Sequence, residues 1–415
     1  MTVLDVEFVR AQFPAFSEPS LQGQAFFENA GGSYTCQQVI DRLHRFYTQR
    51  KVQPYGVYAA SKAGGDEMDE ARSRLAALLN IEEDELSFGP STSSNTYVLA
   101  HAFSETLDKG DVVIVTDQDH EANSGAWRRM EARGMEIREW HVNAESGQLE
   151  LETLAEILDE RVKLVCFPHC SNIIGQENPV AEIAAMVHAV GGVTCVDGVS
   201  MVPHGFPDVA ALNADIYLFS SYKTYGPHQG IMVVRRALAD RLANQAHFFN
   251  AGSRVKRLTP AGPDHAQIAA SAGMADYVDA LYDHHFSEKA TPANRARAVT
   301  ALQRAHENKV LAPLLDFLRD RDDARILGGT TTTNAAGAPN GRVPTVALNT
   351  AKAPAQIVGK LADQGIMAGS GDFYALRTIG AMGCDAAAGV LRLSFVHYTD
   401  EGEVGKLINA LDASL

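Results

Sequence analysis

Cysteine is scarce in this chain and odd in number: five residues, Cys36, Cys166, Cys170, Cys195 and Cys384, among 415. A disulfide framework needs pairs, so these thiols read as reduced and mostly buried, as in a cytoplasmic protein. Cationic residues are also in deficit, 36 Lys and Arg against 51 Asp and Glu, for a formal charge of −15. That balance argues against a general nucleic-acid or anionic-membrane surface, since both require clustered positive charge. Long apolar runs are missing too. The stretch around Val112 to Val115 is far too short to cross a bilayer. The opening MTVLDVEFVRAQFPAF has neither the basic start nor the continuous apolar stretch of a signal peptide. No internal repeat occurs, and no GxGxxG opens a helix after an early strand, which counts against a dinucleotide binder.

Helical and strand patterns alternate through the first two thirds. DEMDEARSRLAALLN at 66–80 carries acids in its first turn and Leu75, Leu78 and Leu79 on one face, as an amphipathic helix does. VVIVTD, EIREWHV, RVKLVCFPH and VTCVDG read as strands separated by the helical WRRMEARG, LETLAEILDE and PVAEIAAMVHAVGG. Strands parted by helices imply parallel pairing. Long helical patterns then lead into the turn-rich GGTTTTNAAGAPNG, followed by two more strands and two helices. The expectation is an α/β fold: a mostly parallel sheet flanked by helices over 21–285, and a smaller C-terminal α/β domain over 286–415 on which residues 1–20 pack.

One pairing of strand ends carries chemistry. Asp197 closes the strand GGVTCVDG, and Lys223 sits just past the strand ADIYLFSS. In an open parallel sheet both would project into the crevice beyond the strands' carboxyl ends, where ligands bind. An acid and an amine so placed suit pyridoxal 5'-phosphate: the lysine forms the Schiff base, and the acid keeps the pyridine nitrogen protonated so that the ring withdraws electrons. Further along, Thr92, Ser93 and Ser94 follow a short strand and open an apolar helix, where hydroxyls and free N–H groups make an anion cradle.

The succession FFENAGGS, GPSTSSNT, DQDHEAN, HCSNIIG, VDGVS, FSSYKTYGP and LRLSFVHYTDEGEV resembles, in order and spacing, the class V aminotransferase fold, in particular its cysteine desulfurase and selenocysteine lyase branch. The resemblance implies a type I fold of pyridoxal-phosphate enzymes. It makes His120 the ring-stacking histidine and gives Ser220 and Tyr222 the places of a phosphate-binding serine and histidine. Asn172 matches an asparagine at the cofactor's phenolic oxygen or the substrate carboxylate, and Ser200 stands where many relatives carry glutamine. Arg392 matches the arginine that clamps the substrate carboxylate, a task for a planar and permanently charged fork. A buried carboxylate partner for that arginine is the less favoured alternative. Asn29 and Tyr374 are further candidates for substrate contact. No metal site is expected.

Departures from the family pattern bear on the reaction. The loop GIMAGSGDFYALRTIGAMGC holds Asp372, Phe373 and Tyr374 where desulfurases of this branch place a nucleophilic cysteine, and Cys384 comes some ten residues later. The partner-chain segment reads LTPAGPDH, with Gly262 at the place of a phosphate-touching threonine, a contact left to Arg254, Lys256, Arg257 or His265. The first expectation is therefore β-elimination or carbon–sulfur lysis of a small amino acid, with transamination or epimerisation as the alternative. A catalytically inactive scaffold is the non-enzyme reading. Homodimerisation, with YGVYAASKAGG and LTPAGPDH completing the neighbour's site, is implied by the resemblance alone.

Overall fold

The structure is a computed structural model describing residues 2–260, 262–333 and 341–415. Half of the expected turn region at 328–341 therefore lies outside the described residues. Seven strands form the main sheet: β1 (Leu86–Gly89), β2 (Val112–Thr116), β3 (Glu136–Trp140), β4 (Val162–Pro168), β5 (Val193–Asp197), β6 (Ile216–Ser220) and β7 (Gly230–Val234). Their spatial order is β1-β7-β6-β5-β4-β2-β3. Strands β2 to β6 pair in parallel, and β7 runs antiparallel to both β1 and β6. Helices cover both faces, which is why β2, β5, β6 and β7 are buried at every residue and read as continuous apolar runs rather than alternating ones. This is the mostly parallel α/β sheet expected from the sequence.

The strand order sets the crevice. From β2 the chain steps outward to β3, whereas β4, β5 and β6 step the other way, so the direction reverses between β2 and β4. Ligands of open α/β sheets bind outside the carboxyl ends at such a reversal. His120 follows β2, Asn172 follows β4, Asp197 ends β5, and Lys223 closes a 3-10 turn, Ser221–Lys223, directly after β6. Within the sheet Asp197 is paired with Leu218, so β5 and β6 deliver the acid and the amine side by side.

A second sheet is antiparallel: β8 (Ala324–Ile326), β9 (Thr345–Thr350), β10 (Gly369–Gly371) and β11 (Val390–Ser394), in the order β10-β11-β9-β8. An early segment joins it. Ala25–Phe26 pairs in parallel with Ile366–Met367, and Glu28 bridges Ser394. Ala25 and Phe27 are buried with Leu314, Leu393 and Phe395 in the core of this smaller sheet. The amino-terminal helix Val6–Ala11 touches both halves. Arg10 pairs with Glu403 at 2.7 Å, whereas Asp5 meets the helix His265–His285: its amide donates to His285 Nε2 at 2.9 Å and its carboxylate meets His284 at 3.0 Å. The amphipathic helix expected from 66 begins earlier and runs Ala59–Leu78. Among the described residues no helix is long and apolar enough to cross a membrane.

Candidate active site

A cavity of about 230 Å³ opens beyond the carboxyl ends of β4, β5 and β6. Thr92, Ser93, His120, Asn172, Asp197, Ser200, Ser220, Tyr222 and Lys223 all line it. The acid and the amine singled out from the sequence thus share one cavity. Ser94 is the exception among the expected cofactor residues. Its N–H and hydroxyl both turn to Ser91, which caps helix α1 (Thr92–Thr106) by accepting from the Ser94 N–H at 3.1 Å. Ser91 itself lines the cavity. It is the N-cap that a Pro-Ser pair before an apolar helix signals, one position ahead of the residues expected.

Burial sets the protonation of the central groups. The Asp197 carboxyl is pushed up to about 6 by desolvation, against the Val199 N–H that donates to it at 2.8 Å and the attraction of Lys223. Desolvation also pulls Lys223 down to about 8, with the positive Arg392 adding to the fall and Asp197 and Glu28 opposing it. His120 is pulled down to about 3, chiefly by burial and then by Lys223 and Arg392. Its Nδ1 accepts from the Ala122 N–H at 3.0 Å, so the ring is a neutral imidazole with its remaining proton on Nε2. A neutral flat ring suits stacking on a heteroaromatic ligand.

The anion-binding end is built from hydroxyls and helix geometry. Thr92 Oγ1 and Ser220 Oγ lie 2.8 Å apart and buried, joining the amino terminus of α1 to the end of β6. Gly230 of β7 permits this closeness, because a Cβ there would fall 2.5 Å from the Thr92 nitrogen. Free N–H groups at the first turn of a helix favour an anion. Tyr222 is stacked on His228, rings 4.7 Å apart and within 9° of parallel, and His228 also lines the cavity. Sequence reading passed over His228 because a histidine after Gly-Pro in a loop carries no pattern. This donor set fits pyridoxal phosphate: hydroxyls and helix N–H groups at one end, a carboxylate at the other, and an amine on the wall.

The substrate side differs more from expectation. Arg392, on β11, is 3% exposed in its side chain and forms a 2.7 Å ion pair with Glu28. The carboxylate partner thought less favoured is present, brought in by the short pairing of residues 25–28 with the smaller sheet, which no local sequence signal announces. Arg392 also donates to the Asn172 carbonyl oxygen at 3.2 Å, and its guanidinium lies 3.7 Å from the Phe373 ring centre. Asn172 in turn donates through Nδ2 to the Phe373 carbonyl oxygen at 3.1 Å. Asn29, expected at the substrate, is buried with its oxygen held by the Tyr398 hydroxyl at 2.5 Å and does not line the cavity. Tyr374 is 72% exposed beside His120, ring centres 5.4 Å apart. Phe373 and Tyr374 both hold left-handed backbone, φ 50° and 56°, in a turn where Asp372 accepts the Tyr374 N–H at 2.7 Å. Two such non-glycine residues in succession are strained.

Neither nearby thiol is poised as a nucleophile. Cys170 lines the cavity, but burial holds its thiol far above the ordinary value. Cys384 is half-buried, raised by burial, and 3.2 Å from Arg325. Of the basic residues offered as anion ligands, Arg254 is engaged by Asp240 at 2.7 Å and Arg257 by the Leu242 carbonyl oxygen at 2.5 Å. Lys256 and His265 line a separate cavity together with Gly262. Asp117, Glu139 and His141 also converge, but Asp117 accepts from Val142 N–H and Glu139 pairs with Arg128.

Comparison with known proteins fits this geometry. Residues 25–407 match the family model for aminotransferase class-V. The chain belongs to the class-V aminotransferase family. An aminotransferase-like protein of Gibberella zeae is 32% identical over 420 residues, 99% of this chain and 98% of that protein. A cysteine desulfurase of Escherichia coli is 28% identical over 431 residues, covering 99% and 98%. Among solved structures, the cysteine desulfurase CsdA of Escherichia coli superposes with TM-score 0.81 at 21% identity, covering 99% of this chain and 98% of that one. A cysteine desulfurase of Thermococcus onnurineus gives TM-score 0.83 at 20% identity, covering 100% and 99%. Class-V aminotransferases are pyridoxal-phosphate enzymes, and this member is one as well.

Proposed function

We propose that the protein eliminates the β-substituent of a small amino acid, a desulfurase-like carbon–sulfur lyase that uses no cysteine nucleophile. The observation that carries the reading is the single cavity shared by Lys223, Asp197 and the Thr92–Ser220 hydroxyl pair. The named activity of the Escherichia coli relative supports the reaction class. Pyridoxal phosphate bound there supplies an aldehyde for imine formation and a protonated ring that draws electrons from the substrate's α-carbon.

The residues divide the remaining work. Thr92, Ser93, Ser220 and the first turn of α1 hold the phosphate, and Tyr222 with His228 walls that end. Asp197 holds a proton at the ring nitrogen, His120 covers a ring face, and Ser200 and Asn172 border the ring. Arg392 binds the substrate carboxylate, with Asn172 fixing the Phe373 loop beside it. Lys223, with its amine lowered to about 8, is readily deprotonated and is placed to take the α-proton as a general base. Loss of a β-leaving group then needs no second nucleophile, which accords with a loop whose residues are Asp372, Phe373 and Tyr374 rather than cysteine.

The test is product analysis. Purified protein is expected to be yellow and to fix its cofactor to Lys223 on borohydride reduction, and with L-cysteine or a β-chloro amino acid it should release pyruvate. Alanine with protein-bound sulfur instead of pyruvate and sulfide would refute elimination, and a keto acid with loss of the amino group to the cofactor would indicate transamination. We infer also that the active unit is a homodimer in the cytoplasm. Val57, fully exposed, and Tyr55 and Tyr58, each more than half exposed, form an apolar face in the segment expected to reach a neighbouring site. Sedimentation at micromolar concentration tests it: a monomer contradicts the inference.

A further inference from the structure

Arg392 is not an empty clamp. Its Nη2 is 2.7 Å from Glu28 Oε1, its Nη1 is used by the Asn172 carbonyl oxygen, and its Nε is buried without a partner among the described residues. Nε and Nη2 make one edge of the guanidinium fork, and Glu28 fills only half of it. A carboxylate taking both donors would satisfy Nε as well. Phe373 stacks on a face of the guanidinium, which leaves approach along the edges.

The place of the Glu28 carboxylate is built. Gly369, opposite Arg392 in the β10–β11 pair, leaves the room: a Cβ there would lie 2.5 Å from Glu28 Oε2. Gly31 does the same on the other side, where a Cβ would lie 2.8 Å from Oε1. Neither glycine has a left-handed φ, so the backbone does not account for their identity. Glu28 Oε2 is buried without a hydrogen-bond partner among the described residues, while the side chain as a whole is 27% exposed and has a way out to solvent.

We propose that Glu28 is a resident stand-in for the substrate carboxylate: it occupies Arg392 until an α-carboxylate binds and must then leave, so it sets the affinity for carboxylate-bearing ligands. This rests on the reading of Arg392 as the substrate's carboxylate clamp. Exchange leaves the guanidinium's charge matched throughout, with one hydrogen bond broken at Nη2 and two made, at Nη2 and Nε. In such an exchange Glu28 lowers affinity by competition, and it discriminates against weakly acidic or neutral ligands that cannot displace it.

Calorimetric titration of the holoenzyme with propionate and with propionamide tests this without any turnover. Glu28→Gln keeps an acceptor for Nη2 but weakens the competitor, and is expected to tighten propionate about tenfold, with propionamide, which cannot match the guanidinium's charge, binding too weakly to register in either protein. Gly369→Ala pushes the native carboxylate off its seat and should move propionate in the same direction. Unchanged or weaker propionate binding in both variants overturns the role of Glu28. Arg392→Gln separates the two layers: loss of propionate binding upholds the clamp whatever Glu28 does, and binding that survives this change refutes the clamp reading itself.

Discussion

Replacing Lys223 by methionine in the cofactor-free protein isolates the energetic consequence of burying an amine. The ammonium's pKa falls from 10.5 to about 8, a shift that desolvation dominates. Each unit corresponds to about 1.4 kcal/mol, so charging this amine inside the fold costs about 3 kcal/mol relative to the unfolded chain. The sign follows from proton binding. Below about 8 the residue is charged in both states and the full penalty applies; it fades as pH rises from 8 to 10.5 and is gone above that. Lys223→Met is therefore expected to stabilise the apoprotein by about 3 kcal/mol at pH 7 and by little at pH 11, read as the difference in urea midpoints at the two pH values. The same shift governs reactivity. At pH 7 about a tenth of the amine is neutral, roughly 300-fold more than for an unperturbed lysine. Site-resolved acetylation of the apoprotein, followed by mass spectrometry, should give a midpoint near 8 for Lys223. A midpoint near 10.5, or a methionine variant less stable at pH 7, would refute the picture of a desolvated amine.

Asp197→Asn should keep the fold and bind the cofactor while slowing turnover by on the order of 1,000-fold, because asparagine cannot hold the ring nitrogen's proton; a variant with near-native turnover would end the assignment. Thr92→Val removes one member of the 2.8 Å hydroxyl pair and is expected to weaken cofactor binding about tenfold in equilibrium dialysis, with the charge state of Lys223 unaffected. Cys170→Ser and Cys384→Ser, singly and together, should retain most of the lyase activity, and abolition by either change would restore a persulfide route.

The main sheet was legible because most of its strands are continuous apolar runs separated by helical patterns, an alternation that implies parallel pairing. Asp197 and Lys223 were legible for the same reason: each sits at the end of such a run, and consecutive strands pair as neighbours. His120, Asn172 and Ser220 were placed by the family resemblance, since a histidine, asparagine or serine after a strand carries little signal alone. What escaped reading is what depends on distant pairing. Glu28 and Arg392 are separated by 364 residues and meet only because a short strand-like segment leaves the first third of the chain to join the smaller sheet. No local periodicity encodes that crossing. Asn29, the candidate for substrate contact from the same motif, is turned instead to Tyr398, as adjacent residues of an extended segment point to opposite sides. Phe373 escaped for another reason: its ring meets Arg392 only through a turn of two left-handed residues, a conformation that sequence gives no cause to expect for Phe and Tyr.

The two central groups also explain why this cavity asks for a ligand. Asp197 is raised to about 6 and Lys223 lowered to about 8, both principally by loss of water. Asp197 carries its full penalty above about 6 and loses it as pH falls toward 3.8, whereas Lys223 carries its own below about 8 and loses it toward 10.5. The two windows overlap between pH 6 and 8, where acid and amine are both charged and both short of solvation, at about 3 kcal/mol each. A cationic ring nitrogen beside Asp197 and conversion of the amine to an imine relieve each of these costs with the group that produces it. These two side chains are thus least comfortable near neutral pH, so that instability concentrated at them becomes affinity for a ligand that meets both.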